Sequence, residues 1–119
     1  MNYIEFEIGG KLRGFKLGLG FLGSVLKELD TDITGFGNTM VSNPFLSVPT
    51  ILYCGHYHDC KRKGVPVTFE LYDFEDWVEE MPRGVNNENF VGVVNIVVEA
   101  IKMHLPQVEV SEEDNSKKK

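Results

Sequence analysis

Cys54, His56, His58 and Cys60 fall within seven residues of one another and carry the thiol and imidazole groups that tetrahedral zinc prefers. On a helix the same spacing works against a shared metal. Cys54 and His58 lie on one face, and His56 and Cys60 lie roughly 160° away, so at most two of the four converge. A Cys–His nucleophile drawn from the same residues would need a group that orients the base and an oxyanion pocket, and the sequence offers no signal for either. The expected state of this segment is a helix end with Cys54 in the core and both histidines partly exposed. A zinc-binding module at Cys54–Cys60 stays open as the last of three readings, and no catalytic residue and no cofactor are expected.

Other chemistry-bearing residues point to structure. Glu70, Asp73, Glu75, Asp76, Glu79 and Glu80 lack the glycine and alternating oxygen ligands of a calcium loop, and their spacing puts them on the outer face of a helix carrying Trp77. Gly18-x-Gly20 and Gly35-x-Gly37 lack the Gly-Lys-Ser/Thr continuation of a phosphate loop. His104, near a helix end, suits the C-terminal dipole.

The chain that must position these groups has 119 residues, 42% of them hydrophobic and 25% charged, enough for a single compact domain. Twelve basic against 18 acidic residues leave a net charge of -6, which excludes the basic footprint of a nucleic-acid binder. Two cysteines do not make a disulfide framework, and no apolar run reaches the roughly 20 residues that span a bilayer. A cytoplasmic protein is expected, with protein partners and neither nucleic acid nor membrane.

Ile4, Phe6 and Ile8 alternate with Tyr3, Glu5 and Glu7, and after Gly9-Gly10 the residues Arg13, Phe15 and Leu17 share a face. Residues 3–17 therefore form an antiparallel hairpin. A two-residue loop pairs Ile8 with Lys11, and a three-residue loop pairs Ile8 with Leu12 and Glu7 with Arg13; polarity and charge favour the longer loop. Helices are expected at about 19–30, 33–41, 45–62, 73–81 and 88–104. Asp32 or Thr34 would cap the second and Asp73 the fourth, with Pro44 in the first turn of the third and Pro49 able to shift its start. The apolar residues of 88–105 cover more than half a helical circumference. A buried strand over 90–98 competes there, but the length of the run and its flanking Glu and Lys favour helix. The fold class is thus α+β: a hairpin packed on a mainly α-helical domain of four to five helices over 1–105, followed by a disordered charged tail over 106–119.

This pattern holds more apolar surface than one small core hides, and favours self-association or partner binding. The candidate partner-binding residues are Phe21 and Val25 on the first helix and Val91, Val94, Val98 and Ile101 on the last.

The order of these features resembles the tail assembly chaperones of long-tailed (siphovirus-like) bacteriophages. The likeness rests on Phe15-Lys16-Leu17-Gly18-Leu19-Gly20 at the hairpin's end, Leu26-Lys27-Glu28-Leu29, Asn43-Pro44-Phe45 with Ile51-Leu52-Tyr53-Cys54-Gly55, and Asp73-Phe74-Glu75-Asp76-Trp77-Val78, and it covers most of 1–105. The resemblance implies a non-enzymatic protein that coats the aggregation-prone tape measure protein in the host cytoplasm and is absent from the mature virion. It also implies recruitment of tail tube protein through a longer form made by ribosomal frameshifting, for which an A-rich run encoding Lys117-Lys118-Lys119 would serve. The alternative is a small intracellular adaptor that binds another protein through the same helices.

Overall fold

The computed structural model describes residues 2–104, so the tail expected over 106–119 lies outside the described residues. Two strands, β1 (Tyr3–Ile8) and β2 (Lys11–Lys16), form an antiparallel hairpin. Five helices follow among the described residues: α1 (Leu19–Glu28), α2 (Phe36–Ser42), α3 (Pro44–Lys63), α4 (Leu71–Glu80) and α5 (Glu88–His104), with a 3-10 turn at Gly84–Asn86. The architecture is α+β.

The hairpin register corrects the expected one. Ile8 pairs with Lys11, Glu7 with Leu12 and Phe6 with Arg13, so the loop has two residues. Gly9 and Gly10 both take positive φ, 64° and 84°, as a two-residue hairpin turn requires. Leu12, which the longer loop would have set beside Ile8, stands in solvent at 63% exposure. Arg13 instead comes to the buried face beside Phe6 and binds the turn itself, its Nε donating to the Ile8 carbonyl at 2.9 Å. Local polarity matching lost to backbone conformation and a long-range dock.

Helix boundaries follow their caps. Asp32 accepts from the Gly35 amide at 2.8 Å and the Thr34 hydroxyl at 2.9 Å, which makes a turn of 32–35 and delays α2 to Phe36, past the expected start at 33. The same bonds hold the Asp32 carboxyl below its ordinary pKa. In α4, Glu70 is the cap and Asp73 the third helical residue of a capping box, with Asp73 accepting from the Glu70 amide at 2.8 Å. The expected roles are shifted by three residues. Pro44 opens α3, and Pro49 lies inside it without moving its start. The carbonyl that Pro49 leaves without a donor belongs to Phe45, a residue 77% exposed, where water can replace the missing bond. Gly64, at φ 71°, ends α3 as its C-cap, and the Val65 amide returns to the Cys60 carbonyl at 2.9 Å.

The core joins hairpin and helices through aromatic rings. Phe6 stacks on Phe15 at 4.7 Å between centroids, Phe90 of α5 meets Phe6 at 5.9 Å, and Phe74 of α4 meets Phe15 edge-on at 6.3 Å. Gly55 lets α3 lie against β2, since a Cβ there would fall 3.1 Å from Leu17 and 3.2 Å from Phe15. Residues 90–98 are helical, and α5 buries the single stripe Phe90, Val93 and Val97, which are at most 1% exposed. Ile96, Ala100 and Ile101 pack at the edge of that core, while Val91 and Val98 face solvent.

Candidate functional site

The Cys54–Cys60 segment lies on α3, and the structure splits its four groups between two sides of that helix. On the hairpin side, His56 Nδ1 meets the Gly14 carbonyl at 2.8 Å, and His56 Nε2 lies 3.3 Å from Arg13 Nη1 and 3.7 Å from Cys60 Sγ. The expectation of a partly exposed His56 is corrected, because it is 7% exposed and stacks on Phe69 at 4.8 Å. A carbonyl can only accept, so Nδ1 carries the proton and Nε2 accepts from Arg13. The imidazole is neutral. Burial lowers its pKa first, the Gly14 bond opposes this, and the Arg13 charge lowers it again.

Arg13 is the centre of this cluster. Its guanidinium binds the Ile8 and Gly9 carbonyls and His56, and its Cζ sits 4.2 Å from the Trp77 ring centroid. The cluster ties the hairpin turn to α3 and α4. Burial, with Asp59 adding to it, raises the Cys60 thiol pKa, so the pair is a neutral thiol beside a neutral imidazole and lacks the thiolate of an activated nucleophile.

On the opposite side, His58 Nε2 bonds Ser24 Oγ of α1 at 2.8 Å beside the buried Cys54. Among the described residues no carboxylate bonds His58 Nδ1, so the dyad lacks the orienting member of a hydrolytic triad. Burial, then Arg62, lowers the His58 pKa. Among the described residues no three His, Cys, Asp or Glu side chains are grouped to hold a metal ion. The zinc reading of Cys54, His56, His58 and Cys60 therefore has no converging ligand set.

The candidate partner surface is partly corrected. Phe21 and Val25 are 0% and 1% exposed and belong to the core, so they cannot meet a partner in this state. Periodicity marked them as an apolar face without saying what covers it. On α5, Val91 is 50% and Val98 37% exposed, with Val94 and Ile101 half-buried between and beyond them. At 100° per residue these four share one side of the helix, within an arc of about 80°. Val91, Val94 and Val98 form an apolar strip outside the buried Phe90, Val93 and Val97, and Ile101 at its edge packs against the core.

A second apolar surface was not foreseen. Val41 at 82%, Phe45 at 77% and Leu46 at 41% exposure cluster in sequence where α2 turns into α3. Beside Phe45 runs a groove of about 530 Å³ between α3, α4 and the 3-10 turn. Its one sequence signal is Phe45, a large aromatic directly after the helix-opening Pro44.

The acidic residues of α4 stand where the spacing puts them, with Glu70, Glu75, Asp76, Glu79 and Glu80 exposed. Among the described residues no helix is long and apolar enough to cross a membrane. No protein-family model matches the chain, and no curated protein and no solved structure matches it.

Proposed function

We propose that this protein is a non-enzymatic tail assembly chaperone of a long-tailed bacteriophage, one that covers apolar stripes of the tape measure protein. The observation that carries the reading is the solvent-facing strip of α5, where Val91 and Val98 remain 50% and 37% exposed beside a helix stripe already packed in the core. Large apolar side chains in a row outside the core are what a helix-in-groove or helix-on-helix contact uses. A tape measure is a long, mainly helical chain whose apolar stripes aggregate when bare. The net charge of -6 keeps such a coated complex in solution.

In this reading the cluster of charged Arg13 with neutral His56 and Cys60 is structural, no cofactor takes part, and several copies cover one client, with self-association between neighbours. Tail tube protein is recruited by a longer, frameshifted form. The work takes place in the host cytoplasm.

The test is co-expression with the tape measure gene of the same genome, followed by measurement of the soluble fraction of the tape measure protein. The reading predicts that a client insoluble alone becomes soluble and co-elutes. A client equally insoluble with and without the protein refutes it and leaves the adaptor reading.

A further inference from the structure

The groove beside Phe45 has a wall chemistry of its own. Its apolar lining comes from Phe45 and Pro49 of α3, Val78 of α4 and Val85 of the 3-10 turn. Glu75 and Glu79, one turn apart on α4, line it as well and are exposed. Among the described residues neither carboxylate takes part in a salt bridge, and Arg83, the cation in the lining, is not paired with either.

We infer that this groove docks an amphipathic helix of a partner protein, with two or three apolar side chains seated on Phe45, Pro49, Val78 and Val85 and Lys or Arg flanks meeting Glu75 and Glu79. The space of about 530 Å³ exceeds one side chain and suits a short row of them. Its walls are helical and offer no strand edge for strand addition, and an apolar floor between helices suits a helix-in-groove contact. Among the described residues, two carboxylates against the one cation Arg83 leave the lining net negative and favour a basic flank over an acidic one. A second copy of this chain, with its net charge of -6, is the electrostatically poorer occupant. The inference rests on the protein-binding reading above and adds a second docking site, separate from the α5 strip, for a basic-flanked helical segment of the partner.

The test titrates the full chain with two synthetic 16-residue helical peptides that share one leucine stripe, one flanked by lysines and the other by glutamates. Fluorescence anisotropy reads the affinity. The lysine peptide should bind about tenfold more tightly at low salt, with the advantage shrinking as salt rises. Glu75→Gln with Glu79→Gln should remove the difference. Phe45→Ala should weaken the lysine peptide about tenfold, and with Phe45 77% exposed the variant should keep wild-type circular dichroism.

Equal affinity for the two peptides overturns the inference. So does weakening by Val91→Glu with Val98→Glu but not by Phe45→Ala, which places the site on α5. Self-association abolished by Phe45→Ala assigns the groove to a second copy, and tighter peptide binding on replacing Lys117, Lys118 and Lys119 by Gln assigns it to the chain's own end; either result also overturns it. A chain that binds the lysine peptide through Phe45 but does not solubilise tape measure protein leaves the groove standing and the chaperone reading refuted.

Discussion

Replacing Arg13 tests how the hairpin is held to the helices. Its Nε bond to the Ile8 carbonyl, at 2.9 Å, is a charge-assisted bond of about 1.5 to 2 kcal/mol. The longer contacts to Gly9 and His56, both at 3.3 Å, add roughly 0.5 kcal/mol each. The cation over Trp77 at 4.2 Å contributes about 1 kcal/mol. Against these stands the cost of burying the charge, visible in a guanidinium pKa that burial lowers while Cys60 and Asp73 pull it back up. With the packing of the stem included, Arg13→Ala should cost about 3 kcal/mol net. Arg13→Met keeps the stem and escapes the charge burial, so about half that loss is expected. Urea unfolding followed by Trp77, the sole tryptophan, reads both: the midpoint falls by about 2 M for the alanine variant and about 1 M for methionine. An alanine variant within 0.5 kcal/mol of wild type, or a methionine variant less stable than alanine, refutes the reasoning.

His56 and His58 both have lowered pKa values, so the unfolded chain binds protons that the folded chain refuses. Stability from this source is full above the ordinary value of 6.5 and declines as pH falls below it toward the folded values, and urea midpoints between pH 7.5 and 5.5 should show a decline that is flattened in a His56→Gln, His58→Gln variant. Gly9→Ala should cost about 2 to 4 kcal/mol, because φ is 64° and the new Cβ would sit 2.5 Å from the Trp77 ring, whereas Gly10→Ala meets nothing within 4 Å and should cost about 1 kcal/mol by thermal melting. Burial pushes the Cys54 thiol up to about 12, and Cys60 is raised as well, so both should resist Ellman's reagent at pH 8 until denaturant is added. Rapid labelling of either in the folded protein contradicts the described packing.

Patterns with one local cause were legible in the sequence. The period of 2 in Ile4, Phe6 and Ile8 marked β1, and the mixed run of 88–104 marked α5 as a helix with more apolar surface than one contact needs. Where two local signals competed, position along the chain was not legible: Glu70 and Asp73 are both acids able to cap α4, and in the structure they share one capping box with Glu70 as the cap. The hairpin register depended on glycine φ values and on Arg13 reaching Trp77, a residue 64 positions away. His56 is buried because its Nδ1 finds the Gly14 carbonyl 42 residues earlier, a partner that no helical wheel contains. Apolar spacing found Phe21 and Val25 as readily as Val91 and Val98, since periodicity identifies an apolar face and the tertiary fold decides whether the core or solvent meets it. The groove draws on three separate elements, and Phe45 directly after Pro44 is its one trace in the sequence.

The central claim is that solvent-facing apolar side chains hold a helical client. Its most direct test is the affinity of purified tape measure segments for the wild-type chain and for a Val91→Glu, Val98→Glu variant, whose substitutions lie at positions 50% and 37% exposed. The account predicts saturable binding by the wild type and at least a tenfold loss in a variant that keeps its circular dichroism and urea midpoint. Binding of equal strength by both, or no binding by the wild type, would contradict it.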